Sequence, residues 1–569
     1  MTKTFFSRKK IATGLTGWGI FTLLPVYADE PLIHQQQQQQ AQAQRLEAKP
    51  PRVSLSDDAE AVSSSHLTFP KESPCFDIRQ VTLSGREALP NWVPLQRLAD
   101  QAVGQCLGAQ GIGLLMSNMQ NRLISHGWVT TRILVPEQDL SQGDLKLNVV
   151  PGKIRQIRYA DGADKYASLF TAIPAGAGEL LDLRAIEQGM EALQSAQNTQ
   201  ASMELVPGDE PGETDIVVQR QQSRFWHMGA WLDNSGTKAT GREQGGMMFA
   251  LDNPTSLSDL LYVAVTKDLS FTGRKHSANY TAHYSVPFGY WQFAVTGSKY
   301  TYAQTVPLLT GDAKYRGRSQ SLNAQLSRVL HRNTHSKTTL TYGVNVRQTR
   351  NFIKQTEVEG QKRRTSNWSL RLDHRHYIGD AVLDAGIRYQ QGTRWFGALS
   401  ASEETRYSPD SENYATAKPR LTQLSASLNT PFTLDSQSFQ HRIEYQQQWS
   451  YKPLTPQDRF SIGNRWTVRG FDGEHSLSAD EGWTVRNTFS WQTPLPEQQL
   501  YLGADYGRVS GNNTAFEIGR TLSGGLLGMK GPIRSANLVY DVSVGTPFSK
   551  PDGFKTDPTY VAFSLNWQY

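Results

Sequence analysis

Strict alternation of apolar and polar side chains through the C-terminal three-fifths is the feature that most limits what this chain can become. Ala278, Tyr280, Ala282, Tyr284 and Val286 interleave with Ser277, Asn279, Thr281, His283 and Ser285. Leu340, Tyr342, Val344 and Val346 interleave with Thr339, Thr341, Gly343 and Asn345, and Leu383, Ala385, Ile387 and Tyr389 continue the theme. The chain closes on Val561, Phe563, Leu565, Trp567 and Tyr569 against Ala562, Ser564, Asn566 and Gln568. A period of two puts successive side chains on opposite faces of an extended strand. One face here is apolar throughout and carries large aromatics, which a soluble sandwich does not need. A closed antiparallel barrel with lipid outside and water inside does need it. Trp226 to Tyr569 is 344 residues. At ~21 residues per strand with its share of connections, that predicts about sixteen strands, an even number.

A helical membrane protein is excluded, because no apolar run after the N-terminus approaches the ~20 residues a spanning helix requires. The hydrophobic fraction of 38% does not argue against a barrel, since hydropathy averaging hides strands that are apolar at every second position. An aromatic content of 10% suits interfacial girdles, but would suit a soluble all-β protein as well. The net charge of +6 comes from Lys and Arg spread along the chain, which leaves no footprint for nucleic acid. Residues 1–28 read as an export signal. Lys3, Arg8, Lys9 and Lys10 form a charged start, Ile11 to Leu24 an apolar core, and Val26-Tyr27-Ala28 a cleavage site. The only two cysteines, Cys75 and Cys106, lie in an exported chain, which suggests one disulfide.

Between the signal and the barrel the texture changes three times. Residues 29–48 hold the run Gln35 to Gln40 with Ala41, Ala43, Leu46, Glu47 and Ala48, a composition equally compatible with a helix and with a low-complexity tail. Residues 49–72 are rich in Pro, Ser and Asp and read as a linker. Residues 73–150 then give a strand (Phe76 to Leu83), helices over Leu95–Val103 and Ile112–Ile124, and two β-rich stretches, Trp128–Val135 and Leu145–Val150. Leu115, Met119 and Leu123 fall at helical spacing, and Gly127 marks the stop. Residues 151–222 repeat the texture, with strands at Ile154–Tyr159, Ser202–Pro207 and Thr214–Gln219 and helices at Tyr166–Ile173 and Leu181–Leu193. Two tandem α+β modules joined at Pro151-Gly152 are expected.

Within the barrel segment, Val468-Arg469-Gly470-Phe471 carries a charge that needs a counter-charge once it leaves bulk water. Asp505, in Gly503-Ala504-Asp505-Tyr506-Gly507, is the candidate partner. No Walker-type phosphate loop and no nucleophile elbow occurs. His374 and His376 lie two apart, as ligands on one strand face would, but no third ligand is near. No enzyme chemistry, metal or cofactor is therefore expected.

These residues resemble the two-partner secretion transporters (the TpsB family), outer-membrane barrels that export filamentous haemagglutinins, haemolysins and contact-dependent inhibition toxins. The resemblance covers nearly the whole mature chain. Cys75-Phe76-x-Ile78, Leu83-x-Gly85, Cys106, Gly127-Trp128-Val129-Thr130-Thr131-Arg132 and Pro136-x-Gln138-Asp139-Leu140-x-x-Gly143 look like the first POTRA domain, a small periplasmic module of that family. Leu183 to Leu193 resembles a helix of the second. Trp231-x-Asp233-Asn234-Ser235-Gly236 with Thr240-Gly241 is similar to the segment that opens the barrel, and Ser461-Ile462-Gly463 through Phe471 to the sixth extracellular loop, which folds inward. Phe471 stands where some members carry Tyr, and Gly528-Met529-Lys530-Gly531 departs from the expected small-apolar and Arg pattern.

The resemblance implies an outer-membrane pore with POTRA 1 (73–150) and POTRA 2 (151–222) in the periplasm and residues 29–48 as a helix plugging the lumen. Arg469 would sit at the loop tip, paired with Asp505. Tight turns at Pro287-Phe288-Gly289 and Thr430-Pro431-Phe432 would be periplasmic, and the stretches 350–366, 400–418 and 468–482 extracellular or lumenal. Phe563, Leu565, Trp567 and Tyr569 would form a C-terminal signal read by the barrel assembly machinery. The partners implied are a secreted filamentous exoprotein and outer-membrane lipid, with the transporter a monomer. An insertase of the same superfamily is the alternative. A passive porin leaves the periplasmic modules unexplained.

Overall fold

The computed structural model describes Gln37 and residues 66–569, apart from 271–274, 309–310, 407–413, 512–513 and 515–516. The signal and most of the 29–72 segment lie outside the described residues.

Residues 226–569 form a closed antiparallel barrel of sixteen strands. In chain order these are β1 (Trp226–Asp233), β2 (Gln244–Asp252), β3 (Leu260–Asp268), β4 (His276–Phe288), β5 (Trp291–Leu308), β6 (Gly311–Arg332), β7 (Ser336–Ile353), β8 (Arg363–Ile378), β9 (Ala381–Thr393), β10 (Arg420–Leu434), β11 (Gln437–Ser450), β12 (Glu481–Gln492), β13 (Gln499–Ser510), β14 (Thr521–Ile533), β15 (Leu538–Ser549) and β16 (Tyr560–Gln568). A two-residue strand, Thr356–Glu357, hangs on β7. Closure removes sheet edges, so every strand's backbone is paired inside the hydrocarbon. The alternation read from the sequence sets the faces. On β13, Leu502 and Tyr506 point to lipid while Asp505 and Val509 are buried inside. On β4, Tyr280 is exposed while Ser277, Asn279 and His283 are buried.

Both expected turns shift: Pro287 and Phe288 close β4, paired with Gln292 and Trp291, and leave the turn to Gly289-Tyr290. Thr430-Pro431-Phe432 lies within β10, opposite His441, Gln440 and Phe439 of β11. The hairpin turns instead at Asp435-Ser436, whose φ values of 46° and 64° match the twist that a two-residue connection requires. His374 and His376 share the outward face of β8, their rings 5.7 Å apart.

Ahead of the barrel come two α+β modules. The first has a three-stranded sheet in which Asp144–Val150 lies between Gln80–Ser84 (parallel) and Arg132–Leu134 (antiparallel). The helix Ala109–Ser125 covers it, burying Leu115, Met119 and Leu123 against Val81, Leu145, Leu147 and Val149. Cys75 and Cys106 are disulfide-bonded, with Cα atoms 5.3 Å apart. The end of the linker is built into this module, for Leu67 and Phe69 pack on its core. The Glu72 carboxylate accepts from the backbone N–H groups of Gly108 (2.7 Å), Gln110 (3.0 Å) and Gly111 (2.7 Å), which caps the long helix from outside its own sequence. Burial alone would raise the Glu72 carboxyl; the three N–H donors outweigh it and hold the group below its ordinary range.

The second module pairs Lys153–Tyr159 and Thr199–Pro207 to either side of Glu213–Gln222, under the helix Leu183–Leu193. It sits directly on one end of the barrel. Ser168 N donates to Ser256 O (2.9 Å), Gly289 N to Thr171 O (2.7 Å), and Asn253 Nδ2 to Tyr166 O (2.7 Å). Glu191 on the module's helix takes Arg332 (2.8 Å) from β6 and Lys337 (2.5 Å) from β7. These contacts all fall at the turns 253–258, 289–290 and 333–335, so that end of the barrel is the one the modules occupy.

Candidate functional site: a loop docked in the barrel lumen

Between β11 and β12 the chain leaves the wall and folds back into the barrel. A short hairpin, Phe460–Ile462 with Leu477–Ala479, frames the loop. Its tip carries Val468-Arg469-Gly470-Phe471 to the inner faces of β13 and β14. Val468, Phe471 and Ile462 join Leu477, Val509, Leu522 and Phe554 in an apolar cluster. Phe471 meets Phe554 edge to face at 5.7 Å. The ring is buried, at 1% exposure.

The structure brings Arg469 and Asp505 together. Arg469 Nε donates to Asp505 Oδ2 at 2.7 Å, Nη2 to Oδ1 at 2.7 Å, and the Arg469 backbone N–H to Oδ2 at 2.9 Å. Nη2 also reaches Thr488 Oγ1 (2.9 Å) and Asn487 O (3.0 Å). The Asp505 side chain is fully buried and that of Arg469 is 9% exposed. A two-pronged charged contact of this kind fixes orientation as well as charge. The backbone must come close for it to form. Gly470 has φ +97°, and a Cβ there would lie 2.5 Å from Thr546 O. A Cβ on Gly524 of β14 would overlap the Arg469 carbonyl oxygen. Strand β14 thus receives the loop through Gly524, four residues before the stretch that departs from the expected pattern.

Further anchors were not legible as such. Register places Glu444, Arg486 and Asp505 side by side on β11, β12 and β13. Arg486 lies 3.7 Å from Glu444 and 3.8 Å from Asp505, a second cation on the same carboxylate. Its place in the inward phase of β12, between Thr484 and Thr488, was the available signal; the pairing was not. Where β16 meets β1, Arg465 Nη2 donates to Asn234 Oδ1 (2.5 Å) and Tyr560 (2.7 Å). Asn234 in turn donates to Val561 O (2.7 Å) and accepts from Phe563 N (3.0 Å). Its amide therefore acts as one more rung where β16 meets β1, the shortest ladder in the wall, with five residue pairs. Asp472 accepts from Thr556 Oγ1 and Asp557 N, both at 3.1 Å. Gln37 has helical backbone, and its side-chain oxygen accepts from Asn464 Nδ2 of the loop at 2.7 Å.

Comparison with known proteins fits this architecture. Residues 212–531 match the family described as haemolysin secretion/activation protein ShlB/FhaC/HecB. The chain belongs to that family. Residues 76–152 match the ShlB-type POTRA domain and 153–207 a POTRA domain. The outer membrane transporter CdiB-2 of Burkholderia pseudomallei is 34% identical, over 94% of this chain and 93% of its own. The hemolysin transporter protein ShlB of Serratia marcescens is 26% identical, over 84% of this chain and 81% of its own. The solved structure of CdiB from Escherichia coli superposes with a TM-score of 0.85 at 26% identity, covering 97% of this chain and all of that one. The protein is thus an outer-membrane transporter of two-partner secretion, with its POTRA domains in the periplasm. The module-bearing end of the barrel is accordingly periplasmic and the opposite end extracellular. The family is one of transporters, and the insertase alternative finds no support.

Proposed function

We propose that this transporter moves an unfolded filamentous exoprotein, of haemolysin, adhesin or inhibition-toxin type, through a lumen held shut by the Arg469–Asp505 contact. The buried two-pronged pair at the tip of an inward-folded loop is the observation that carries the reading. A chain crossing the lumen must displace that loop, and the loop's hold is concentrated in one carboxylate. The POTRA sheets leave Gln80–Ser84, Arg132–Leu134, Lys153–Tyr159 and Thr199–Pro207 as edge strands. An extended polypeptide can add to such an edge through backbone hydrogen bonds without a sequence-perfect pocket. Residues 29–48 act as a resting plug, supported by the Gln37–Asn464 contact inside the barrel. Folding of the exoprotein outside the cell supplies the driving force. The protein works as a monomer, and Phe563, Leu565, Trp567 and Tyr569 guide its insertion by the barrel assembly machinery.

The test is co-expression with the exoprotein of the neighbouring reading frame, followed by assay of the medium. Arg469→Ala should insert at the normal outer-membrane level and secrete far less partner. Normal export by that variant removes the assignment of the pair as the lumenal closure.

A further inference from the structure

The outer surface of the barrel changes character on one side, just where strands β3 to β8 leave the apolar band toward the extracellular end. On β3, Val263 and Val265 give way to Lys267; on β5, Phe293 and Val295 to Lys299. On β6, Leu326 and Leu322 give way to Arg318 and Arg316, and on β8 Leu370 and Trp368 to Arg364. All five cations are exposed. Register gathers them. One row reads Tyr280, Lys299, Gln320, Gln348, Arg364; the next row outward reads Lys267, Ala278, Thr301, Arg318, Arg350. Arg316 lies one step beyond, opposite Ala303 and Phe352. Neighbouring strands are about 4.8 Å apart, so these side chains share one surface patch.

Two observations say that the patch is unfinished in the protein alone. Arg318 and Arg350 stand directly opposite each other on β6 and β7, a like-charge pair that destabilises a ladder unless an anion intervenes. Arg350 has one, Glu357, with Nε to Oε1 at 2.7 Å. Lys267, Lys299, Arg316, Arg318 and Arg364 have no carboxylate partner among the described residues. The nearest acid along β6, Asp312, lies farther out toward the hairpin tip.

We propose that this face binds the phosphorylated headgroups of glycolipid in the outer leaflet. Its position carries the choice of occupant. The cations sit on the lipid side of the wall, immediately outward of the apolar band, where headgroups are and where a soluble anion would face acyl chains on one side. Arg presents a planar fork that matches phosphate oxygens, and clustered cations beside a membrane's apolar band recognise anionic lipids by this chemistry. The acyl chains then lie along Val263, Val295, Leu322 and Leu326, so one molecule satisfies both surfaces.

The experiment uses the full mature chain in phosphatidylcholine nanodiscs doped with a bis-phosphorylated acylated glucosamine disaccharide, with its dephosphorylated form as the second arm and inorganic phosphate as the third. Retained lipid is counted by native mass spectrometry. The protein should hold the phosphorylated form in preference to the other two. The triple variant Lys299→Gln/Arg316→Gln/Arg318→Gln should lose that preference by at least about tenfold. Arg328→Gln, at the periplasmic rim over Trp291 (4.9 Å), should keep it. Equal retention by the triple variant and the native protein overturns the proposal, as does retention indifferent to phosphate or equally strong for inorganic phosphate. Should the triple variant fail to fold, the native protein decides alone. Raising ionic strength from about 0.05 to about 0.5 M must erode the preference, and a preference that survives unchanged refutes it.

Discussion

Replacing Arg469 by Ala should loosen the lumenal loop by a calculable amount. The substitution deletes both prongs to Asp505 and the contacts to Thr488 and Asn487, and it leaves a fully buried carboxylate. Stranding one member of a buried ion pair costs about 3–5 kcal/mol. Two features pull toward the lower end: the Arg469 backbone N–H still reaches Asp505, and Arg486 waits 3.8 Å away. About 3 kcal/mol is therefore the expectation, roughly two orders of magnitude in the opening equilibrium.

Hydrogen exchange on the nanodisc-embedded protein reads this directly. Backbone amides of the framing hairpin, Phe460–Ile462 and Leu477–Ala479, should exchange about 100-fold faster in the variant, with the ladders of β4 to β8 unchanged. The double variant Arg469→Ala/Asp505→Ala should lose less than the sum of the single changes, because no stranded charge remains, with a coupling of about 2 kcal/mol. Gly524→Ala is an independent arm. It pushes the loop backbone at Arg469 outward while keeping both charged side chains, and should raise exchange in the same amides. Additive single effects, or unchanged protection of the hairpin in Arg469→Ala, would refute the claim that this pair holds the loop.

Deleting residues 29–48 should raise single-channel conductance in planar bilayers; unchanged conductance would count against a plug. Glu72→Gln should make the first module less stable at neutral pH. The native carboxyl titrates below its ordinary value, so its contribution is present above the unfolded carboxylate pKa and fades as pH falls through the lower folded value. Denaturant titrations of the two proteins should therefore converge in acid, and a gap independent of pH would show that Glu72 acts by packing alone. Cys75→Ser opens a crosslink between residues 31 positions apart, and should cost the module about 3–4 kcal/mol in denaturant unfolding.

The wall was legible because membrane strands obey one rule. A side chain's phase in the alternation decides whether it meets lipid or water, and Leu340, Tyr342, Val344 and Val346 announce theirs. Asp505 was legible for the same reason: its neighbours Leu502 and Tyr506 mark the outward phase, so the carboxylate points in. Arg486 and Glu444 were not, because their meeting depends on strand register, which a one-residue slip would change and which no local pattern encodes. The Asn234 rung and the Glu72 cap were hidden for a different reason. Each is a polar side chain standing in for backbone partners more than 30 residues away, and only the closed fold brings the two ends together.

Register also limits how a signal from the periplasm reaches the loop. Arg332, Lys337, Arg375, Asp384, Ser427, Glu444, Arg486 and Asp505 form one inward row, strand to strand, from the POTRA 2 contact at Glu191 to the docked loop. It opens on three cations and alternates in sign only from Glu444 to Asp505, and the ion pairs Arg375–Asp384 (2.7 Å) and Arg469–Asp505 (2.7 Å) lie on it or at its end. Yet Ser427 interrupts the row. Asp384 and Glu444 are two strands apart, about 10 Å, and both are anionic, so a shift of Glu191 is not handed electrostatically to Asp505. The barrel ladders are equally poor carriers, since a closed wall of paired backbone has no second register at low cost. Apart from the wall, Asn464 of the loop donates to Gln37, and we propose that the segment holding Gln37 links the loop to the periplasmic side. Withdrawal of that segment by cargo would remove a contact from the loop before the Arg469–Asp505 pair is challenged, and the two deletions should then act in sequence. Conductance in a chain lacking residues 29–48 should rise further on adding Arg469→Ala. Equal conductance with and without the second change would place both on a single step.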